Sequence, residues 1–173
     1  MSRSTLYAAG PDGDMEPVQD YRNAWLFAVV IWRWMIDNYL RKELPEGSAS
    51  GRWLGNKPVM EKLWQLAYEP SVPWIESVCL AATFDRALVR GSERVAIVNA
   101  FRSFMTLVES ECHLGAMAAD IEVLPENTRA IGWYPTSVAE NLWFVTDDEA
   151  DEEGRAYNID RDTGHFWIFE EIR

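Results

Sequence analysis

The run AWLFAVVIWRWMI, residues 24–36, is interrupted only by Arg33. Apolar side chains point in nearly every direction around a helix built from it, so such a helix has no solvent face and other elements must cover it on several sides. The run is also too short to span a bilayer, which takes about 20 apolar residues. The chain therefore has to supply its own cover. At 173 residues it fits one domain, long enough to bury a core without disulfides or metals.

The covering elements are read from periodicity and turn chemistry. Residues 4–9 (STLYAA) form a short strand, followed by the turn Gly10-Pro11-Asp12-Gly13-Asp14. Residues 15–18 either return as a second strand or lead into the helix. Asp20 is placed to cap a long helix over residues 21–42. Residues 43–57 are a Gly-, Ser- and Pro-rich loop, the best candidate for a mobile segment, with Trp53 and Leu54 tucking it back onto the body. A short helix over 58–68 follows, then one that starts at Ser71-Val72-Pro73 and runs to about Val89. Residues 93–111 are the cleanest amphipathic segment, with Ile97, Phe101, Phe104, Met105 and Val108 on one stripe; helical character continues past a kink near Gly115 to Asp120.

After Pro125 the pattern becomes strand-like. Strands are expected at 131–134, 142–146, 155–159 and 165–172, with residues 160–164 as a hairpin turn between the last two. The last strand has two apolar faces and is expected to be central or sandwiched. The expectation is an α+β domain over residues 1–173: a helical block, about 19–121, built around the long apolar helix, and a small, mostly antiparallel C-terminal sheet, about 129–173, with which the strand at 4–9 is positioned to pair.

Charge is segregated. The net charge is −12: residues 1–57 are neutral, 58–125 carry −4 and 126–173 carry −8. Such a surface repels nucleic acid and anionic membranes and attracts basic partners. Six carboxylates crowd one loop tip: Asp147, Asp148, Glu149, Asp151, Glu152 and Glu153. The tip lacks the glycine and closing glutamate of a calcium-binding EF-hand loop; it reads first as a solvated loop, then as a docking element on a basic surface, then as a divalent-cation site.

Motifs that would specify a reaction are missing. There is no GxGxxG, Walker loop, HExxH or GxSxG, and residues 51–55 (GRWLG) lack the lysine of a phosphate loop. Asp12/Asp14 and Asp160/Asp162 have DxD spacing but sit in turns that already explain them. Glu109, Glu111, Cys112 and His113 combine a thiol with a base, yet neighbouring helix residues point about 100° apart. His165 reads as a turn residue. The arginines at 86, 90, 94 and 102 alternate with Asp85, Glu93 and Glu109, which favours ion pairing over a basic face. Cys79 and Cys112 form no CxxC pair, and the N-terminal MSRSTLYAAG has no apolar signal core, so the expected location is the cytoplasm, with reduced thiols.

The functional expectation is a non-enzymatic acidic binding protein, with no cofactor, metal or catalytic residue. It would be an inhibitor or immunity-type protein that covers a basic surface of a toxin or nucleic-acid-binding defence protein, without contacting nucleic acid or membrane itself. Its binding residues would be the six carboxylates of the tip, with Trp133, Tyr134, Trp143 and Tyr157 as aromatic anchors beside them. Two alternatives stand: an accessory subunit of a larger assembly, which would show an exposed apolar patch, and a carboxylate- or metal-dependent enzyme, which would show acids converging in a pocket.

Overall fold

The computed structural model describes residues 3–22, 27–46, 49–108, 113–135, 141–146 and 154–172. Strands β1 (Arg3–Ala9) and β2 (Met15–Arg22) form an antiparallel hairpin across the Gly10–Asp14 turn. Gly13 has φ +83° there, a left-handed conformation that favours glycine, and its N–H donates to the Gly10 carbonyl at 3.1 Å. Leu6 faces Gln19 and Tyr7 faces Pro17, so Val18 is the extra residue of a bulge.

Strand β2 thus takes in Asp20 and Tyr21, which the sequence assigns to a helix cap and first turn. Their partners lie far along the chain or across the hairpin. The Thr5 hydroxyl donates to Asp20 at 2.7 Å, and the Tyr21 hydroxyl donates to Asp120 at 2.6 Å. Burial and the Asp120 carboxylate together hold the Tyr21 hydroxyl protonated far above the usual range. Local capping chemistry loses to these tertiary bonds.

The apolar run does not become a long central helix. It yields α1 (Ala28–Met35), a π turn at Ile36–Leu40 and a 3-10 turn at Arg41–Glu43; residues 23–26 lie outside the described part. The run still belongs to the core, since Phe27, Ala28, Ile31, Met35 and Ile36 are fully buried. Helix α2 (Lys57–Gln65) starts where the Asn56 side chain accepts from the Val59 N–H. It ends in a 3-10 turn at Leu66–Tyr68. Trp53 and Leu54 pack against the core, as their place in the loop suggests.

Helix α3 (Trp74–Ala81) stops eight residues short of the expected end. The Thr83 hydroxyl donates to the Leu80 carbonyl at 2.6 Å, the chain turns through Arg86 at φ +54°, and residues Ala87–Arg90 form strand β3. An Ala-Leu-Val run fits a buried helix or a buried strand equally well, and only the neighbouring strands decide. Helices α4 (Arg94–Val108) and α5 (Leu114–Glu122) follow as expected.

Strand β4 (Ala130–Tyr134) completes the centre of the sheet. Strands β5 (Phe144–Val145) and β6 (Arg155–Ala156) pair with each other, antiparallel, outside it. Strand β7 (Phe166–Trp167) pairs with β3, and the chain then turns into the short helix α6 (Ile168–Glu171). The expected long final strand is therefore two residues plus a helix, and residues 160–164 are not the turn of a β6–β7 hairpin. The main sheet is five-stranded and mixed, in the order β2-β1-β4-β3-β7, with only the β3–β7 pair parallel. Its strands come from both ends and the middle of the chain, so it is not a small C-terminal sheet. The class is α+β.

The two faces of this sheet are covered differently. Leu6, Val89, Ile131 and Trp133 belong to a core shared with α1, α3, α4 and α5. Tyr7, Ala9, Met15, Leu88 and Ala130 form a second core with Trp143 and Tyr157 from the C-terminal segment. That segment is tied down by backbone bonds: the Met15 N–H donates to the Tyr157 carbonyl at 2.7 Å, and the Ile159 N–H to the Gly13 carbonyl at 2.9 Å. No helix among the described residues is long and apolar enough to cross a membrane.

Candidate binding surface

The six tip carboxylates, Asp147, Asp148, Glu149, Asp151, Glu152 and Glu153, lie outside the described residues. Their flanks are defined: β5 and β6 bring Val145 opposite Arg155. The four aromatic anchors proposed beside them behave differently. Trp133 and Trp143 are 1% exposed and Tyr157 is 0% exposed. Trp133 lies against Phe27 and Phe101 beneath the sheet, and the Trp143 indole N–H donates to the Trp133 carbonyl at 2.8 Å. These three rings fill the two cores and offer no surface to a partner. Tyr134 is half-buried against the second core.

The two DxD turns meet in space, and arginines and Asn158 bind them there. Asn158 Nδ2 donates to Asp14 at 2.6 Å and to the Asp12 carbonyl at 2.9 Å, and Arg161 reaches Asp14 at 3.1 Å. Arg129 holds Asp160 with two bonds of 2.7 Å. Arg155 holds Asp162 with bonds of 2.7 and 2.8 Å. Hydrogen bonds from Arg129 pull the Asp160 carboxyl below its usual range; Arg155, helped by the Asn158 N–H, brings that of Asp162 to about 2. Carboxylates so held are ion-pair partners, not proton carriers at neutral pH. Among the described residues no three His, Cys, Asp or Glu side chains group to hold a metal ion.

The remaining reactive residues also have structural partners. Glu109, Glu111 and Cys112 lie outside the described residues; His113 Nε2 is 2.6 Å from the Arg22 carbonyl, a bond the ring N–H donates. Of the arginines at 86, 90, 94 and 102, two pair through their side chains with acids other than their sequence neighbours. Arg90 pairs with Glu170 and Arg102 with Glu122, while Arg94 and Arg86 donate to backbone carbonyls. Glu76, in the first turn of α3, is buried and accepts from the Trp34 indole at 2.8 Å and the Tyr39 hydroxyl at 3.0 Å. Burial, with Glu76 beside it, pushes the Tyr39 hydroxyl up to about 12.

What the sequence does not reveal is a band of partly exposed rings at the edge of the main core. Phe84 is its hub. Its ring centre lies 5.4 Å from Trp64, 6.3 Å from Tyr68 and 5.8 Å from Phe166. Trp64 in turn meets Trp32 at 5.5 Å. Trp74 meets Phe169 of α6 at 5.7 Å. Tyr68 and Trp74 are 54% and 43% exposed, and the other rings are half-buried. Exposed Glu69, Asp85 and Glu171 border the band, and none of them belongs to an ion pair among the described residues. Burial first, then the Glu171 charge, raises the pKa of the Tyr68 hydroxyl. Between Trp64 and Phe84 lies an open cleft of about 300 Å³, also lined by Thr83 and Asp85.

The rings of this band come from α1, α2, the first residue of α3, the turns after α2 and α3, and residues 166–169. The one local hint is that Tyr68 and Trp74 flank the turn Glu69-Pro70-Ser71-Val72-Pro73, where a large ring cannot be covered by its own helix. No protein-family model, curated protein or solved structure matches the chain.

Proposed function

We propose that this protein is an acidic, non-enzymatic binding protein that covers a basic surface of another protein, in the manner of an inhibitor or immunity protein against a toxin or a nucleic-acid-binding defence protein. The observation that carries this reading is the aromatic band edged by Glu69, Asp85 and Glu171, acids that no arginine of the described chain takes up. Rings that supply contact area at low entropy cost, rimmed by charge of one sign, are the usual make-up of a tight interface with a partner of the opposite sign. The net charge of −12 adds long-range attraction for such a partner.

The enzyme reading has less support, because the acids that converge in space, Asp14, Asp160 and Asp162, are each held by an arginine. The accessory-subunit reading shares the aromatic band and differs in what salt does. The test is affinity capture from host lysate with elution along a salt gradient, using the native chain and a Tyr68→Ala/Trp74→Ala variant side by side. One stoichiometric partner of basic isoelectric point, released by salt and lost with the variant, supports the proposal. A partner that resists high salt favours the accessory subunit. A partner retained equally by the variant removes the aromatic band from the argument.

A further inference from the structure

We infer that the cleft between Trp64 and Phe84 receives an arginine side chain of the basic partner, with Asp85 as its carboxylate. This rests on the binding reading above and names the group that its aromatic band would recognise.

The walls define the guest. Trp64 stands nearly perpendicular to both neighbours, at 80° to Trp32 and 85° to Phe84. Two of the four side chains that line the cleft are aromatic, and an aromatic ring attracts a cation through its face. The Thr83 hydroxyl accepts from the Trp32 indole at 2.9 Å and gives its only proton to the Leu80 carbonyl at 2.6 Å. Any further bond it makes is therefore as an acceptor, and Asp85 is an acceptor as well. Side-chain acceptors and aromatic rings in one cleft call for a donor-rich, positively charged, planar group. A guanidinium meets that description better than an ammonium: it is less strongly hydrated, stacks on rings and binds a carboxylate through two parallel bonds.

The fold already contains the same trio. The guanidinium of Arg90 lies 4.3 Å from the centre of the Trp167 ring and pairs with Glu170. Arg86 lies 4.9 Å from the centre of Tyr157. In the cleft the ring and the carboxylate are present: Trp64 and Phe84 stand for Trp167, and Asp85, outside every ion pair among the described residues, stands for Glu170.

The test titrates the full chain with blocked hexa-arginine and hexa-lysine peptides at low salt, following the indole N–H signals by two-dimensional NMR. Wild type, Asp85→Asn, Phe84→Leu and a tip variant (Asp147→Asn, Asp148→Asn, Asp151→Asn, Glu152→Gln) are compared, each first shown to keep its melting temperature. The expected result is tighter binding of hexa-arginine than hexa-lysine, weakened about fivefold by Asp85→Asn and also by Phe84→Leu. Equal affinity for the two peptides would overturn the assignment of a guanidinium. Loss of binding in the tip variant alone, with Asp85→Asn and Phe84→Leu unchanged, would overturn the cleft while leaving the basic-partner reading in place. No binding of either peptide would overturn both.

Discussion

The Tyr157 hydroxyl lies 2.9 Å from Nδ1 of His165 and 3.1 Å from the Thr163 carbonyl. A carbonyl can only accept, so the single phenolic proton goes to Thr163, and the hydroxyl oxygen accepts from His165 Nδ1–H. The neutral ring is thereby set as the Nδ1–H tautomer. Burial first, then the charges of Arg86 and Arg90, lower the His165 pKa below its usual 6.5. Two consequences can be measured. Nitrogen NMR will show protonated Nδ1 and unprotonated Nε2 at pH 7. Between the folded pKa and 6.5 the unfolded chain binds more protons, so this histidine makes stability rise with pH and fall as pH drops through that window. His165→Gln should flatten that part of the stability curve; an unchanged slope would show that another group is responsible.

Asp162 gives a second pH window with its own sign. It accepts from Arg155 and from the Asn158 N–H at 2.7 Å, and its side chain is only 15% exposed. With the folded pKa at about 2 against an ordinary value of 3.8, its contribution is complete above 3.8 and disappears as pH falls through about 2. Asp162→Asn should cost roughly 1–3 kcal/mol at pH 7, because it strips a charged acceptor from three donors. The deficit relative to wild type, read from urea melts, should shrink at the acid end. A deficit independent of pH would assign the loss to turn geometry and not to charge.

Two glycines should fail to different degrees. A methyl group on Gly132 would meet Trp143 Cζ2 at 2.8 Å, Leu88 Cδ2 at 2.9 Å and Met15 Cε at 3.0 Å. Those are side-chain ends, so Gly132→Ala is expected to cost about 1–3 kcal/mol by overpacking, with a changed near-UV tryptophan spectrum. On Gly91 the same group would overlap the backbone carbonyl of Thr128, which cannot rotate away. Gly91→Ala should therefore be the more damaging, to the point of little soluble protein. The reverse order in thermal melts would contradict the packing described for the two sites.

Neutralising Asp147, Asp148, Asp151 and Glu152 as Asn or Gln removes mutual repulsion within the tip. The melting temperature should stay the same or rise. If the tip contributes to docking, affinity for the basic partner should fall most at low salt, where charges are least screened. Unchanged affinity at every salt concentration would leave the tip as a solvated loop and the aromatic band as the binding element.

Much of the fold was legible because its signals are local. The stripe of Ile97, Phe101 and Phe104 marked α4, and all three are fully buried. The Gly10–Asp14 turn and the strand at Ala130–Tyr134 were readable for the same reason. Strand β3 was not, since Ala87, Leu88 and Val89 become a strand only through β4 and β7, whose residues come some 40 or more positions later. Nor were the roles of Trp133, Trp143 and Tyr157. Their composition suits an interface as well as a core, and only the two-sided cover of the sheet puts them inside.

The α+β class, the segregation of acid toward the C-terminus and the place of Phe27, Ala28, Ile31, Met35 and Ile36 in the core follow from the sequence, because propensity, charge and hydropathy belong to residues one at a time or to near neighbours. Tertiary structure alone decided which rings face out. Phe166 joins Phe84, and Phe169 joins Trp74, across about 80 to 95 positions of sequence, only when β7 pairs with β3 and α6 settles beside α3. Exposure is a property of what packs above a side chain, and that neighbour is chosen by long-range strand pairing, which no local pattern encodes.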